Sequence, residues 1–292
     1  YVPIRTELEK TLKRFSGGEC YVKFEETVRG KDVFLLQSPA RNPDEALMEL
    51  FLMCQAARLS FANRLHVLMP HFAYARQDRV AEPREAISAK VIATLLEAAG
   101  ADHLITLTVH SDQVQGFFSI PVDNLNSRSI FADYFRKKHL KDPIVVAPDV
   151  GGAKQAKKFA DTLGADLAIM HKVRSAHQQA AVAEVVGDVQ GRTCILFDDI
   201  IDTGGSLLSA REALLKSGAL PEVYAAATHA IFSGPAVQNL RKAGFHEIVV
   251  TDSIPSLDEE IPGLTVLPIA PMLAHVIRHI ESRQSVTELY QR

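Results

Sequence analysis

A chain of 292 residues with 47% apolar residues, 23% charged residues and a net charge of −3 is a folded globular protein with room for two domains, which excludes disordered and fibrous classes. It has no overall basic field, so a dedicated nucleic-acid binder is excluded, and no apolar run reaches the roughly 18 residues that cross a bilayer. Three widely spaced cysteines, Cys20, Cys54 and Cys194, and the lack of a basic-then-apolar leader predict a cytoplasmic protein with buried, reduced thiols.

Short β-branched runs alternate with amphipathic stretches along the chain. The pattern predicts a strand at 32–37, a helix at 44–59 and a strand at 65–70. A helix at 88–99 stops at Gly100, and a strand at 104–108 follows. Strand 144–147 and helix 153–163 come next, then strands at 167–170 and 193–197. Helix 206–217 stops at Gly218, strand 223–228 follows, and helix 234–243 leads to strand 247–251. This βαβ rhythm belongs to parallel sheets covered by helices, an α/β protein.

With Gly30 set on Gly191, Gly30-Lys31-Asp32-Val33-Phe34-Leu35-Leu36 aligns with Gly191-Arg192-Thr193-Cys194-Ile195-Leu196-Phe197. Each run opens the same succession of strand, loop, long helix and second strand, so two similar domains are expected. The polar stretch at 126–129 marks their boundary, giving domains at 1–126 and 127–270 and a C-terminal helix and tail at 271–292. The strand and helix at 144–163 have a counterpart that would fall before Tyr1, so the first copy is expected to lack one such pair.

The strongest chemical signal runs from Cys194 to Ser206. An apolar strand meets Asp198 and Asp199, then Asp202-Thr203-Gly204-Gly205-Ser206, then a helix. The strand delivers two carboxylates to the carboxyl edge of the sheet, where open α/β folds bind ligands. The loop after it can wrap an anion with backbone N–H groups and hydroxyls at a helix N-terminus. Carboxylates beside a phosphate loop imply a sugar phosphate. The competing reading, a plain strand–turn–helix capped by Asp202 or Thr203, does not account for the whole pattern. In the aligned first copy Gln37-Ser38 replaces the two aspartates, so no equivalent site is expected there.

This loop resembles the phosphoribosyl-diphosphate signature shared by type I phosphoribosyltransferases and ribose-phosphate diphosphokinases. The second family is favoured by Phe72-Ala73-Tyr74-Ala75-Arg76-Gln77-Asp78-Arg79, by His110-Ser111-Asp112-Gln113-Val114-Gln115-Gly116-Phe117-Phe118 and by Ala147-Pro148-Asp149-Val150-Gly151-Gly152. Ile120-Pro121-Val122-Asp123-Asn124-Leu125 and Glu26-Thr27-Val28-Arg29-Gly30 are similar to it as well.

The resemblance implies two domains of the type I phosphoribosyltransferase-like fold and transfer of diphosphate from MgATP to ribose 5-phosphate. It implies that Arg76, Gln77 and His110 contact ATP, with Phe15 and Glu19 meeting the adenine of a neighbouring subunit. Asp198, Asp199 and Asp202 would bind ribose, and Thr203, Gly204, Gly205 and Ser206 its 5-phosphate. His110 and Asp149 would hold Mg2+. Lys172 and Arg174 would be the catalytic cations at the root of a lid over 175–183. Thr27, Arg29, Arg84, Ser285 and Thr287 would form an allosteric site for phosphate or ADP in a homo-oligomer of dimers assembled into a hexamer.

Three positions depart from the family pattern: Thr108 stands for an aspartate, Gly17-Gly18 loses a polar side chain, and Ser206 replaces the commoner threonine. A non-catalytic regulatory paralogue and a phosphoribosyltransferase are the competing readings. His275 and His279 have a zinc-like i, i+4 spacing without a third ligand and are expected at a surface or interface.

Overall fold

The computed structural model describes residues 10–173, 182–255 and 259–287, and the chain divides into two units, 1–125 and 126–292, with separate cores. The first unit opens with an antiparallel hairpin, β1 (Lys10–Arg14) and β2 (Cys20–Phe24). A four-stranded, all-parallel sheet follows, ordered β3 (Asp32–Leu36), β4 (Arg64–Met69), β5 (His103–Leu107) and β6 (Val122–Leu125). Its crossovers include α1 (Pro43–Leu59) and α2 (Ser88–Ala99). Alternate strand residues Val33, Leu35, Leu65, Val67 and Leu104 meet Leu47, Leu50, Cys54, Ile92 and Leu96 of the helices in one buried cluster. The period of two along the strands and the 3.6 period along the helices bring these sets together.

The second unit holds a seven-stranded sheet, made of β7 (Pro143–Ala147), β8 (Asp166–Val173), β9 (Val182–Val186), β10 (Thr193–Ile201), β11 (Tyr224–Ala230), β12 (Glu247–Thr251) and β13 (Leu264–Leu267). Their order is β13-β12-β11-β10-β7-β8-β9, parallel throughout except for β8 against β9. On one face Val145, Ile195, Phe197 and Val249 pack with α3 (Arg128–Lys137) and α4 (Ala153–Leu163), where the Phe159 and Phe197 rings stack 4.2 Å apart. On the other, Val146, Leu196, Ala225 and Val250 pack with α5 (Gly205–Lys216) and α6 (Ala236–Ala243). Helix α7 (Ala270–Glu281) comes after β13. Among the described residues no helix is long and apolar enough to cross a membrane.

The duplication is visible in the topology. Strands β3 to β6 repeat the order and parallel sense of β10 to β13, and the antiparallel pair β1–β2 precedes β3 in the chain as the antiparallel pair β8–β9 precedes β10. In the second unit β7 joins β8 to β10. No strand plays that part for β2 and β3 among the described residues, and the hairpin is a sheet of its own. Arg14 ties it to α1 through Glu45 at 3.3 Å and Glu49 at 2.8 Å.

The polar stretch at 126–129 leads into α3, and the Ser127 hydroxyl there is buried and shares a hydrogen bond with the Thr228 hydroxyl at 2.7 Å. Two expectations change. Strand β10 continues to Ile201 rather than ending at Phe197, because β11 keeps pairing with it as far as Ala230. Cys54 and Cys194 are buried, and burial pushes their thiols up to about 12 and about 11, but Cys20 on β2 is only half-buried.

Candidate active site

The acids of the second unit owe their place to a difference in strand length. β7 pairs with β10 only as far as Val146 opposite Leu196, whereas β11 runs on to Ala230 opposite Ile201. Asp198 and Asp199 therefore lie inside β10, on the segment that has outrun β7, at the carboxyl edge of the sheet. Asp198 Oδ1 accepts the Asp199 N–H at 2.9 Å. Burial, then the charge of Asp199 and, less strongly, that of Asp149, push the Asp198 carboxyl well above the usual carboxylate range. Asp149, past the end of β7, accepts the Gly152 N–H at 2.9 Å. A Cβ on Gly152 would stand 3.9 Å from Asp198 Oδ1, so the glycine turn after β7 closes on the acids of β10.

The loop beyond is held from outside. Gly204 is the N-cap of α5 at φ 73, and a Cβ there would come within 3.2 Å of the Leu240 side chain, so glycine is required on both counts. No side chain caps α5, which leaves its first N–H groups to serve an anion, and Thr203 and Ser206 are exposed beside them. Ser233 donates its N–H to the Asp202 carbonyl at 3.1 Å and its hydroxyl to the Asp202 carboxylate. Asn239 Nδ2 donates to the Thr203 carbonyl at 2.8 Å. Neither Ser233 nor Asn239 stands out in the sequence, because only the β11–α6 turn brings them to the loop.

In the first unit the matching positions serve local structure. Gln37 Nε2 donates to Glu49 Oε2 at 3.4 Å, and the Ser38 hydroxyl accepts the His71 N–H at 3.2 Å. Arg76 and Gln77 lie on the loop after β4 and His110 just past β5, all three exposed at the carboxyl edges of neighbouring strands. Gln77 also anchors α2, its carbonyl accepting the Ala89 N–H at 3.2 Å and its side chain the Ser88 hydroxyl. Phe15 and Glu19 flank the tip of hairpin β1–β2, joined by a Phe15 N–H to Glu19 carbonyl bond of 2.9 Å, and Phe15 is 49% exposed.

The remaining candidates are distributed over both units. Lys172 lies near the end of β8, in register with Ala183 on β9. Arg174 and positions 175–181 of the expected lid lie outside the described residues. Thr27 and Arg29 share the turn between β2 and β3, where the Thr27 hydroxyl accepts the Arg29 N–H at 3.4 Å and the Arg29 guanidinium covers the Phe61 ring at 4.0 Å. Arg84, at φ 77, belongs to the loop before α2. Ser285 and Thr287, in the second unit beyond α7, share a 2.8 Å hydroxyl bond. The His275 and His279 rings stand 4.2 Å apart on α7.

His110 belongs to the first unit and Asp149 to the second. Among the described residues no group of three or more histidine, cysteine or acidic side chains could hold a metal ion by itself. Asp149, beside Asp198, supplies a hard oxygen donor at an open edge, which suits a Mg2+ that keeps its waters and leans on substrate phosphates rather than a cage built by the protein.

A helix-covered parallel sheet whose acid pair runs through Asp-Thr-Gly-Gly-Ser into an uncapped helix defines a protein of the phosphoribosyltransferase-like fold class. Residues 4–100 match the N-terminal domain of ribose phosphate pyrophosphokinase, and residues 172–291 match the phosphoribosyl synthetase-associated domain. The chain belongs to the ribose-phosphate pyrophosphokinase family. The enzyme of that name from Campylobacter jejuni is 45% identical over 279 residues, covering 96% of this chain and 90% of its own length. That of Oceanobacillus iheyensis is 43% identical over 289 residues, covering 98% and 91%. The crystal structure of phosphoribosylpyrophosphate synthetase from Mycobacterium smegmatis matches with a TM-score of 0.89 at 42% identity, covering 94% of this chain and 91% of that one.

Proposed function

We propose that this chain is a catalytic ribose-phosphate diphosphokinase, which moves the diphosphate of MgATP to the anomeric hydroxyl of ribose 5-phosphate. The anomeric oxygen bonds to the β-phosphorus, the bond from that phosphorus to the α-phosphate oxygen breaks, and AMP leaves with the electron pair. The hydroxyl proton passes to solvent, and the products are AMP and 5-phosphoribosyl 1-diphosphate. The observation that carries this reading is the acid pair of β10 leading into the uncapped, glycine-bent start of α5.

In this reading the N–H groups and hydroxyls of Thr203, Gly204, Gly205 and Ser206 hold the 5-phosphate, while Asp198, Asp199 and Asp202 accept the ribose hydroxyls. Arg76, Gln77 and His110 bind ATP, and Phe15 and Glu19 meet adenine in a neighbouring subunit. Lys172 and Arg174 place positive charge over the phosphoryl oxygens, where it counts most in the transition state. His110 and Asp149 would hold Mg2+, which when bound would neutralise charge on the triphosphate. Domain 1–126 is then the nucleotide side and 127–270 the sugar-phosphate side, with 271–292 as a C-terminal helix and tail. A cytoplasmic homohexamer assembled from dimers, with phosphate or ADP acting at Thr27, Arg29, Arg84, Ser285 and Thr287, completes the proposal.

Phosphorus NMR of the protein with ribose 5-phosphate, MgATP and inorganic phosphate tests it. Resonances of AMP and a new diphosphate ester are expected. Binding of both substrates without turnover would overturn the catalytic reading in favour of a regulatory paralogue.

A further inference from the structure

Thr108 is a β-branched residue at φ 48, a left-handed backbone conformation that such residues avoid. Bonds on both sides keep it there. Its N–H donates to the Leu125 carbonyl at 2.8 Å, and the next N–H, that of Val109, donates to Asn124 Oδ1 at 3.2 Å. Before it, the Leu107 N–H and the Thr106 hydroxyl both donate to the Pro70 carbonyl, at 3.1 and 3.4 Å. Val109 is only 3% exposed, so its N–H depends on Asn124 for a partner. The chain then emerges at His110, which is exposed.

The loop after the neighbouring strand repeats the device. Tyr74, two residues before Arg76 as Thr108 is two before His110, has φ 66, and its hydroxyl donates to Asp44. Pro70, whose carbonyl receives the end of β5, opens that same loop. Strained backbone persists only where its surroundings over-determine it, and it collects where a group must be held in one place.

We propose that Thr108 and Asn124 are positioning residues that clamp the bend at the end of β5 and so fix His110 for the nucleotide. This rests on the assignment of His110 to ATP made above. Asn124 contributes an acceptor to a buried N–H, and Thr108 contributes a stiff side chain that limits how far the bend can relax.

Steady-state kinetics of the full chain, run well below the melting temperature, test the clamp. Asn124→Ala is expected to raise the KM for MgATP roughly ten-fold while leaving that for ribose 5-phosphate within about two-fold, the size expected for one lost buried hydrogen bond. Asn124→Asp keeps an acceptor oxygen and should restore the KM for MgATP. Thr108→Gly adopts φ 48 without strain and loosens the bend, so it should raise the KM for MgATP without lowering the melting temperature.

His110→Ala supplies the reference. It should raise the KM for MgATP by itself, and Asn124→Ala should add little on top, because both act through one imidazole. If His110→Ala leaves that KM unchanged, the assignment of His110 fails and the clamp falls with it. If His110→Ala raises it while Asn124→Ala and Thr108→Gly move only the melting temperature, or if the two effects simply multiply, the clamp alone is overturned.

Discussion

Burial and the charges of Asp199 and Asp149 raise the Asp198 carboxyl, so near neutral pH the folded protein holds a proton there that the unfolded chain has released. The raised value fixes the sign. Any stability linked to this carboxyl is fully present below the unfolded aspartate value near pH 4 and is lost as pH rises through the folded value. Asp198→Asn removes the titration while keeping an oxygen to accept the Asp199 N–H. Urea unfolding should show the variant more stable by about 1–2 kcal/mol near pH 7 and no different below about pH 4. Turnover should fall at least about ten-fold, because the amide NH2 replaces an oxygen that can accept from a ribose hydroxyl, and the amide cannot ionise when substrate binds. A variant that is less stable at pH 7, or that turns over normally, would contradict this account of the edge. At this scale the sequence was legible where the chemistry is contiguous, as from Asp198 to Ser206. It was silent on Ser233, Asn239 and Asn124, whose work is to hold another element's backbone and which become neighbours only through the fold.

Between elements, the parallel register of the first sheet sets Phe34 opposite His66 and His66 opposite His103. The result is a ladder across the sheet. Phe34 stacks on His66 at 4.5 Å, the two histidine Nδ1 atoms are 3.0 Å apart, and His103 Nε2 reaches Asp123 at 3.2 Å. His66 is 3% exposed, and burial, reinforced by His103, pushes its imidazole down to about 4. Because that value lies below the ordinary 6.5, the unfolded chain takes up the proton first as pH falls. The stability provided by a neutral His66 is therefore present above about pH 6.5 and drains away towards pH 4, by up to about 3 kcal/mol. His66→Asn keeps an acceptor for His103 and cannot titrate, so its urea midpoint should fall less steeply across this window; parallel profiles would refute the assignment.

Elements with strong periods and glycine stops were legible to the residue, as at 88–99 and 153–163, which end at Gly100 and Gly164 in the left-handed conformation. Strands such as Lys10–Arg14 and Val122–Leu125 were not, since a short polar run owes its strand conformation to its partner rather than to its own pattern.

Across the whole molecule, the duplication could be read from the match of Gly30 with Gly191, and the topology extends it to four parallel strands and a hairpin in each unit. The copies diverged in chemistry. Asp149, the acids of β10, the loop to Ser206 and its braces Ser233 and Asn239 all belong to the second unit, whereas Arg76, Gln77 and His110 belong to the first. The second unit also has its own core on both faces of its sheet, the property that lets a domain fold alone. A chain of residues 126–292 should therefore unfold cooperatively and bind ribose 5-phosphate within a few-fold of the full protein by calorimetric titration. It should form no AMP from MgATP, because the residues proposed to grip the nucleotide are gone. Cooperative unfolding with loss of ribose 5-phosphate binding would mean that the second unit does not carry the sugar-phosphate site by itself, and turnover by the fragment would remove Arg76, Gln77 and His110 from the reaction.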